Sequence, residues 1–156
     1  MSASLNPPKF ELILNVPEGN GFDETARRNR ELIVGAYRAQ LAGDDEALVR
    51  LLDPEIVFLE ADGLPYGVTA TGIQGALDGV AGMFGAWSHL RAEFLQFLAG
   101  GDLVIAYMML TGTARATGRI YKGPTAELFR FRNGKIVEWR PIYWDTHAVR
   151  VACGLA

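Results

Sequence analysis

Residues 125–145 constrain the fold more than any other part of the chain, because they predict a β-hairpin. Apolar and polar residues alternate on both sides of the Asn-Gly pair at 133–134, and both residues of that pair accept the positive φ angles of a type I′ turn. Glu127 lies in phase with Phe129 and Phe131, so it shares their apolar face of the strand. A carboxylate on such a face is paired, protonated or directed into a pocket.

Composition limits the class of protein. A chain of 156 residues can bury one sizeable core, and 49% apolar with 21% charged residues is near the globular average. The net charge of −3 argues against a nucleic-acid partner. No apolar run is long enough to cross a membrane, and the N-terminus lacks the pattern of a secretory signal. With Cys153 as the only cysteine, we expect a cytoplasmic protein without membrane association.

The order of predicted elements indicates an α+β fold. Three helices are expected first: one from Asp23 to Gly43, a shorter one from Asp44 to Asp53, and one over 73–87. Strands are predicted at 56–60, 90–98, 102–114, 119–132 and 135–143. Residues 62–71 are expected to form a loop. Long antiparallel strands that follow helices predict a sheet packed on those helices.

We divide the chain into an irregular N-terminal arm over 1–21, one domain over 22–150 and a C-terminal tail over 151–156. Alternation from Phe10 to Val16 favours a short strand within the arm. Several strands, such as 56–59, are apolar on both faces. One face can pack on the helices, and a second subunit would cover the other, so we expect a homodimer formed through the sheet.

The chain resembles the SnoaL-like and ketosteroid isomerase-like branch of the nuclear transport factor 2-like superfamily over about residues 24–150. The motifs that carry the resemblance are AQLAGDD at 39–45, DPEIV at 53–57, TGIQG at 71–75, NGKIV at 133–137 and the Tyr-Trp pair at 143–144. The resemblance implies a cone in which three N-terminal helices pack on a curved antiparallel β-sheet. It does not specify a reaction, because this fold hosts isomerases, cyclases, epoxide hydrolases, dehydratases and non-catalytic partners.

Site residues follow from the same resemblance. Glu60 matches the carboxylate base at the end of the first strand, and Glu127 matches the protonated acid that donates to an oxyanion. Trp144 matches the aromatic residue of the pocket, and Asp145 lies where SnoaL-like cyclases keep an acid-base carboxylate. The oxyanion tyrosine falls one residue away from Tyr37, which is about 100° around a helix.

Arg140 introduces an alternative. On the last strand it lies in phase with Ile136, Ile142 and Trp144, so it is expected to face the same cavity as Glu127. An ion pair with Arg140 would keep Glu127 ionised and remove its acid role. The two would then orient a water, as in epoxide hydrolysis, hold an anionic substrate, or form a structural pair. Glu60 could instead end its strand in solvent.

These expectations define a site and a function. The pocket is predicted to be lined by Tyr37, Phe58, Glu60, Phe84, Trp87, Tyr107, Glu127, Arg140 and Trp144. We expect a cofactor-independent acid-base enzyme acting on a small, largely apolar oxygenated substrate of polyketide or steroid type. The reaction class stays open among isomerase, cyclase, dehydratase and epoxide hydrolase. The alternative is a non-catalytic module that binds a small ligand or a protein. Two histidines and one cysteine, without HxxxH or CxxC spacing, predict no metal.

Overall fold

The computed structural model describes residues 9–16 and 23–155. The parts of the predicted arm at 1–8 and 17–21 lie outside this range. The helices are α1 (Glu24–Leu41), α2 (Gly72–Ala86) and α3 (Thr146–Ala152). The strands are β1 (Lys9–Leu14), β2 (Leu52–Glu60), β3 (Val68–Thr71), β4 (Trp87–Gly100), β5 (Leu103–Ala114), β6 (Ile120–Arg132) and β7 (Lys135–Tyr143).

All seven strands form one sheet in the order β1-β4-β5-β6-β7-β2-β3. Strands β4 to β7 form an antiparallel meander, as the sequence predicts. The sheet as a whole is mixed, however, because β1 pairs with β4 and β2 pairs with β7 in the parallel sense. The strand predicted at Phe10–Val16 is present as β1. Residues 68–71, expected within a loop, form β3 against the end of β2.

The helices are not all N-terminal, which corrects that part of the prediction. Asp23 caps α1 as expected, and its Oδ1 accepts a hydrogen bond from the Ala26 N–H at 2.7 Å. The predicted second helix is reduced to turns and a single 3-10 turn at Val49–Leu51, because Leu52 already has extended backbone angles and begins β2. The third helix, α3, instead follows the last strand.

The predicted hairpin is present between β6 and β7. Asn133 and Gly134 have φ angles of 51° and 75°, as a type I′ turn requires. The pairing shifts just after the turn, since Phe131 pairs with Ile136 but Arg130 pairs with Glu138. The intervening residue of β7 is therefore an insertion, a β-bulge, that exchanges the inward and outward faces of the rest of the strand.

Helices α1 and α2 cover one face of the sheet, where most of the core lies. Helix α2 packs closely on β2: a Cβ added at Gly79 would lie 2.6 Å from the ring of Phe58. The absence of a side chain at Gly79 thus permits the close approach of α2 to the sheet. Within the described residues, no helix combines the length and the hydropathy needed to cross a bilayer.

Candidate active site

A cavity of about 410 Å³ lies between the covered face of the sheet, helices α1 and α2, and strand β1. Most of its wall is apolar and comes from residues such as Leu12, Leu77, Val80, Met83, Phe84, Leu90, Phe94 and Met108. Its polar groups are few and include Tyr37, Glu60, Thr125, Glu127 and Tyr143. The size and the sparse polar groups are typical of a site for a small organic ligand.

Sheet geometry places the two glutamates on one row of the cavity wall. Phe58 of β2 pairs with Trp139 of β7, and two residues further along that strand Pro141 pairs with Glu127 of β6. Glu60 is likewise two residues beyond Phe58. The two carboxylates thus come from strands β2 and β6, which have β7 between them and whose backbones lie about 9.5 Å or more apart. Both side chains line the cavity and converge across Pro141.

Glu127 is held by a hydrogen bond from α1. The hydroxyl of Tyr37 donates to its Oε2. Burial raises the pKa of Glu127 to about 7, and the hydrogen bond from Tyr37, together with the nearby indole N–H of Trp139, opposes that shift. Burial also raises the pKa of Tyr37 well above its ordinary value, so the tyrosine remains a donor. The arrangement stabilises an ionised carboxylate in an apolar cavity.

Glu60 has no hydrogen bond among the described residues that compares with the one from Tyr37 to Glu127. The residue is only 3% exposed, and its buried Oε2 has no hydrogen-bond partner among the described residues. Burial, followed by the charge of Glu127, raises the pKa of Glu60 to about 8. Because Glu127 has donors and this oxygen of Glu60 has none, the proton that the pair retains near neutral pH lies on Glu60.

Tyr143 lines the polar end of the cavity and is held by Tyr66, which lies outside the lining; neither was predicted from the sequence as a site residue. The hydroxyl of Tyr66 donates to the hydroxyl of Tyr143 at 3.2 Å. Burial, with a contribution from Glu60, raises the pKa of both above the ordinary value. Tyr143 faces inward only because of the bulge in β7, and Tyr66 lies in the loop between β2 and β3, where the sequence offers no periodic signal.

Arg140 and Trp144 do not line this cavity, which corrects two predictions. Past the bulge, Trp139, Pro141 and Tyr143 are buried, so the residues between them point outward. Arg140 pairs with Glu138 at 3.1 Å rather than with Glu127, and Trp144 is 82% exposed. The alternative in which Arg140 forms an ion pair with Glu127 is therefore not the arrangement in the structure.

Three other predicted site residues also lie outside the cavity. Tyr107 is 39% exposed, since β5 buries the alternate positions on either side of it, Ala106 and Met108. Trp87 is fully buried but packs near Tyr121, at 6.2 Å between ring centroids. Asp145 caps α3, and its Oδ1 accepts a hydrogen bond from the Ala148 N–H at 2.8 Å.

The sequence-predicted residues that do line the cavity are Tyr37, Phe58, Glu60, Phe84 and Glu127. No lysine, arginine or histidine among the described residues lines it. The same part of the chain contains no group of histidine, cysteine, aspartate and glutamate side chains that could hold a metal ion. The described side chains that a ligand would contact in this cavity are therefore negatively charged or neutral.

A curved sheet covered by helices, with paired buried carboxylates in an apolar cavity, defines an α+β cone with a candidate acid-base site. The model of the SnoaL-like domain family matches residues 33–139, more than half of the chain. The chain belongs to the SnoaL-like domain family. This match confirms the resemblance seen in the sequence.

Solved structures support the same fold. A nuclear transport factor 2-like protein from Burkholderia thailandensis E264 has a TM-score of 0.71 and 26% identity, covering 80% of this chain and 95% of that one. A SnoaL-like protein from Jannaschia sp. CCS1, proposed to be a polyketide cyclase, has a TM-score of 0.72 and 19% identity, covering 88% and 99%. TerC, solved with polyporic acid, has a TM-score of 0.69 and 20% identity, covering 81% and 98%. Curated proteins yield no match.

Proposed function

We propose that this protein is a cofactor-independent acid-base enzyme acting on a small, largely apolar, oxygenated substrate. The observation that carries the proposal is the pair Glu60 and Glu127 in one apolar cavity, with their pKa values raised to about 8 and about 7. Titratable groups whose pKa values lie near neutrality are suited to proton transfer at physiological pH. The reaction class stays open among isomerase, cyclase, dehydratase and epoxide hydrolase.

In this proposal Glu127 is the general base and Glu60 is the acid. Glu127 is the more easily ionised of the two because Tyr37 donates to it, so it can accept a proton from the substrate. Glu60, protonated at pH 7, donates a hydrogen bond to the oxygen on which negative charge develops. These roles are the reverse of those that the family resemblance implies, and the difference arises from the position of Tyr37.

The lining of the cavity favours a neutral substrate. Two carboxylates and the absence of a cationic side chain among the described lining residues disfavour an anion. The apolar wall favours a ring system of polyketide or steroid type, whose oxygens would reach Glu60, Glu127 and Tyr143.

Thermal unfolding against paired neutral and anionic compounds tests the substrate class. Planar phenols, enones, lactones and epoxides should stabilise the protein, whereas carboxylates of matched size should not. A ligand that binds only the folded state adds about 2.7 kcal/mol at 100 times its dissociation constant. Glu60→Gln should change the selectivity, and Glu138→Gln, on the outer side of β7, should not. Equal stabilisation by the anions would contradict the proposal.

The alternative is a non-catalytic ligand carrier, which the predominantly apolar wall also supports. A carrier needs the cavity but not the ionised state of Glu127. If the wild-type protein turns over none of the compounds that it binds, the carrier is favoured, since retained binding in Glu127→Gln is expected of both candidates.

We also propose a homodimer formed through the uncovered face of β4 and β5. Large apolar side chains are exposed there, including Leu95, Leu98 and Tyr107. Tyr107→Glu would bury a charge in the interface and should shift the protein from dimer to monomer in light scattering. Lys122→Glu, a charge change at an exposed position outside this patch, is the control. A wild-type monomer at micromolar concentration would overturn the proposal.

A further inference from the structure

A second cavity, of about 310 Å³, adjoins the first at the opposite edge of the sheet from β1. We call it the back cleft; it is lined by Leu59, Glu60, Ala61, Asp62, Thr69, Arg140, Pro141, Ile142, Tyr143 and Thr146. Three of these residues, Glu60, Pro141 and Tyr143, also line the main cavity. The two cavities therefore share a wall that contains a proposed catalytic carboxylate.

The back cleft lies where β2 and β7 separate. Their last paired residues are Phe58 and Trp139, and beyond this point β2 pairs with β3 alone, through Leu59 with Thr69 and Glu60 with Val68. Pro141 has no N–H to continue the ladder toward β2. A gap between neighbouring strands results.

Side chains from both faces of the sheet border this gap. Arg140 and Ile142 of β7 are exposed on the outer face, and Thr69 of β3 is exposed beside them. Glu60 and Tyr143 are buried and point toward the main cavity. The cleft is thus bordered both by residues of the outer surface and by Glu60.

Glu60 has a carboxyl oxygen left unsatisfied by the described part of the chain. Its Oε2 is buried and unpaired among the described residues, and an unsatisfied buried carboxyl oxygen is costly. The cleft has room for several waters, at about 30 Å³ each, and polar side chains to bind them, namely Asp62, Thr69, Arg140 and Thr146.

We propose that the back cleft is a water-filled entrance through which Glu60 exchanges its proton with solvent while a ligand occupies the main cavity. The mouth of the main cavity is separate: its exposed lining residues are Phe10 and Asp45, at the other end of the site. An apolar substrate would enter through that mouth, and water would reach Glu60 from behind. The use of this route in turnover rests on the proposed function, but the existence of the route does not.

Thiol labelling tests the route without any substrate. In a Cys153→Ser background, Glu60→Cys places a thiol at the shared wall, and Met108→Cys places one in the main cavity alone. Both are treated with 2-aminoethyl methanethiosulfonate, a small hydrophilic reagent. Asp45→Trp then obstructs the mouth, and Thr69→Trp obstructs the back cleft.

With the mouth obstructed, labelling of Met108→Cys should slow by about tenfold or more, whereas that of Glu60→Cys should change by less than about twofold. Adding Thr69→Trp should then slow the labelling of the thiol in Glu60→Cys by about tenfold. The proposal is overturned if Asp45→Trp slows both thiols alike, or if Thr69→Trp leaves the rate unchanged. Should Glu60→Cys fold poorly, Tyr143→Cys borders both cavities and replaces it. Loss of activity plays no part in this readout, so a failed enzyme proposal would leave it intact.

Discussion

The free energy of unfolding should fall by about 3 kcal/mol or more as the pH rises from 5 to 9, because two buried carboxyls must ionise in the folded chain. Their pKa values are raised from 4.5 to about 8 at Glu60 and to about 7 at Glu127. Between 4.5 and these values the folded chain binds more protons than the unfolded chain, so stability is complete below pH 4.5 and is lost as the pH rises. Urea unfolding at pH 5, 7 and 9 measures the change.

Amide variants separate the contributions to this pH dependence. Glu60→Gln keeps the shape of the side chain and cannot ionise, so it should flatten the curve and be more stable than the wild-type protein at pH 9. Glu138→Gln, a matched change at a carboxylate paired with Arg140, should leave the slope unchanged. A wild-type stability that is constant or rises between pH 5 and 9 would show that the carboxyls are not held protonated.

Glu127→Gln should lower kcat by about 10²- to 10⁴-fold for any compound that the wild-type protein turns over, since it removes the general base. The amide can still accept the hydrogen bond from Tyr37, so ligand binding and folding should be retained. Steady-state kinetics and thermal unfolding of the same preparations measure both. Glu138→Gln is again the control, and near-normal kcat in Glu127→Gln would remove this residue from the mechanism.

The pH dependence of kcat/KM gives a second test of the roles. The rate should rise as the pair loses its first proton and fall as it loses the second, giving a bell with limbs near pH 7 and 8. Both values belong to the coupled pair. Tyr37→Phe removes the donor that favours ionised Glu127, so it should move the lower limb to higher pH.

Several features of the site could be predicted because they depend on local sequence. Asn133-Gly134 determined the hairpin, and the alternation before it placed Glu127 on the inner face of β6. Glu60 was found through its place at the end of the first predicted strand, before Ala61-Asp62-Gly63. Both now lie on the cavity wall, although their chemical roles remain proposals.

Residues after the bulge in β7 were assigned to the wrong face. Alternation from Ile136 predicts that Arg140, Ile142 and Trp144 point inward, but one inserted residue reverses the phase and exposes all three. A bulge depends on how β7 pairs with β6 and curves in the sheet, and the sequence of β7 alone does not predict it. The same shift brought Trp139 and Tyr143 into the site.

The sequence by itself determined the antiparallel meander and the inner-face position of Glu127, because hairpin chemistry and strand alternation act over a few residues. The family and the assignment of Glu60 followed from the resemblance of its motifs. Tertiary structure decided the partners of those glutamates. Tyr37 rather than Arg140 contacts Glu127, and the separation of β2 from β7 leaves Glu60 between two cavities. Both results depend on contacts between elements far apart in the chain, whose register and packing local periodicity does not encode.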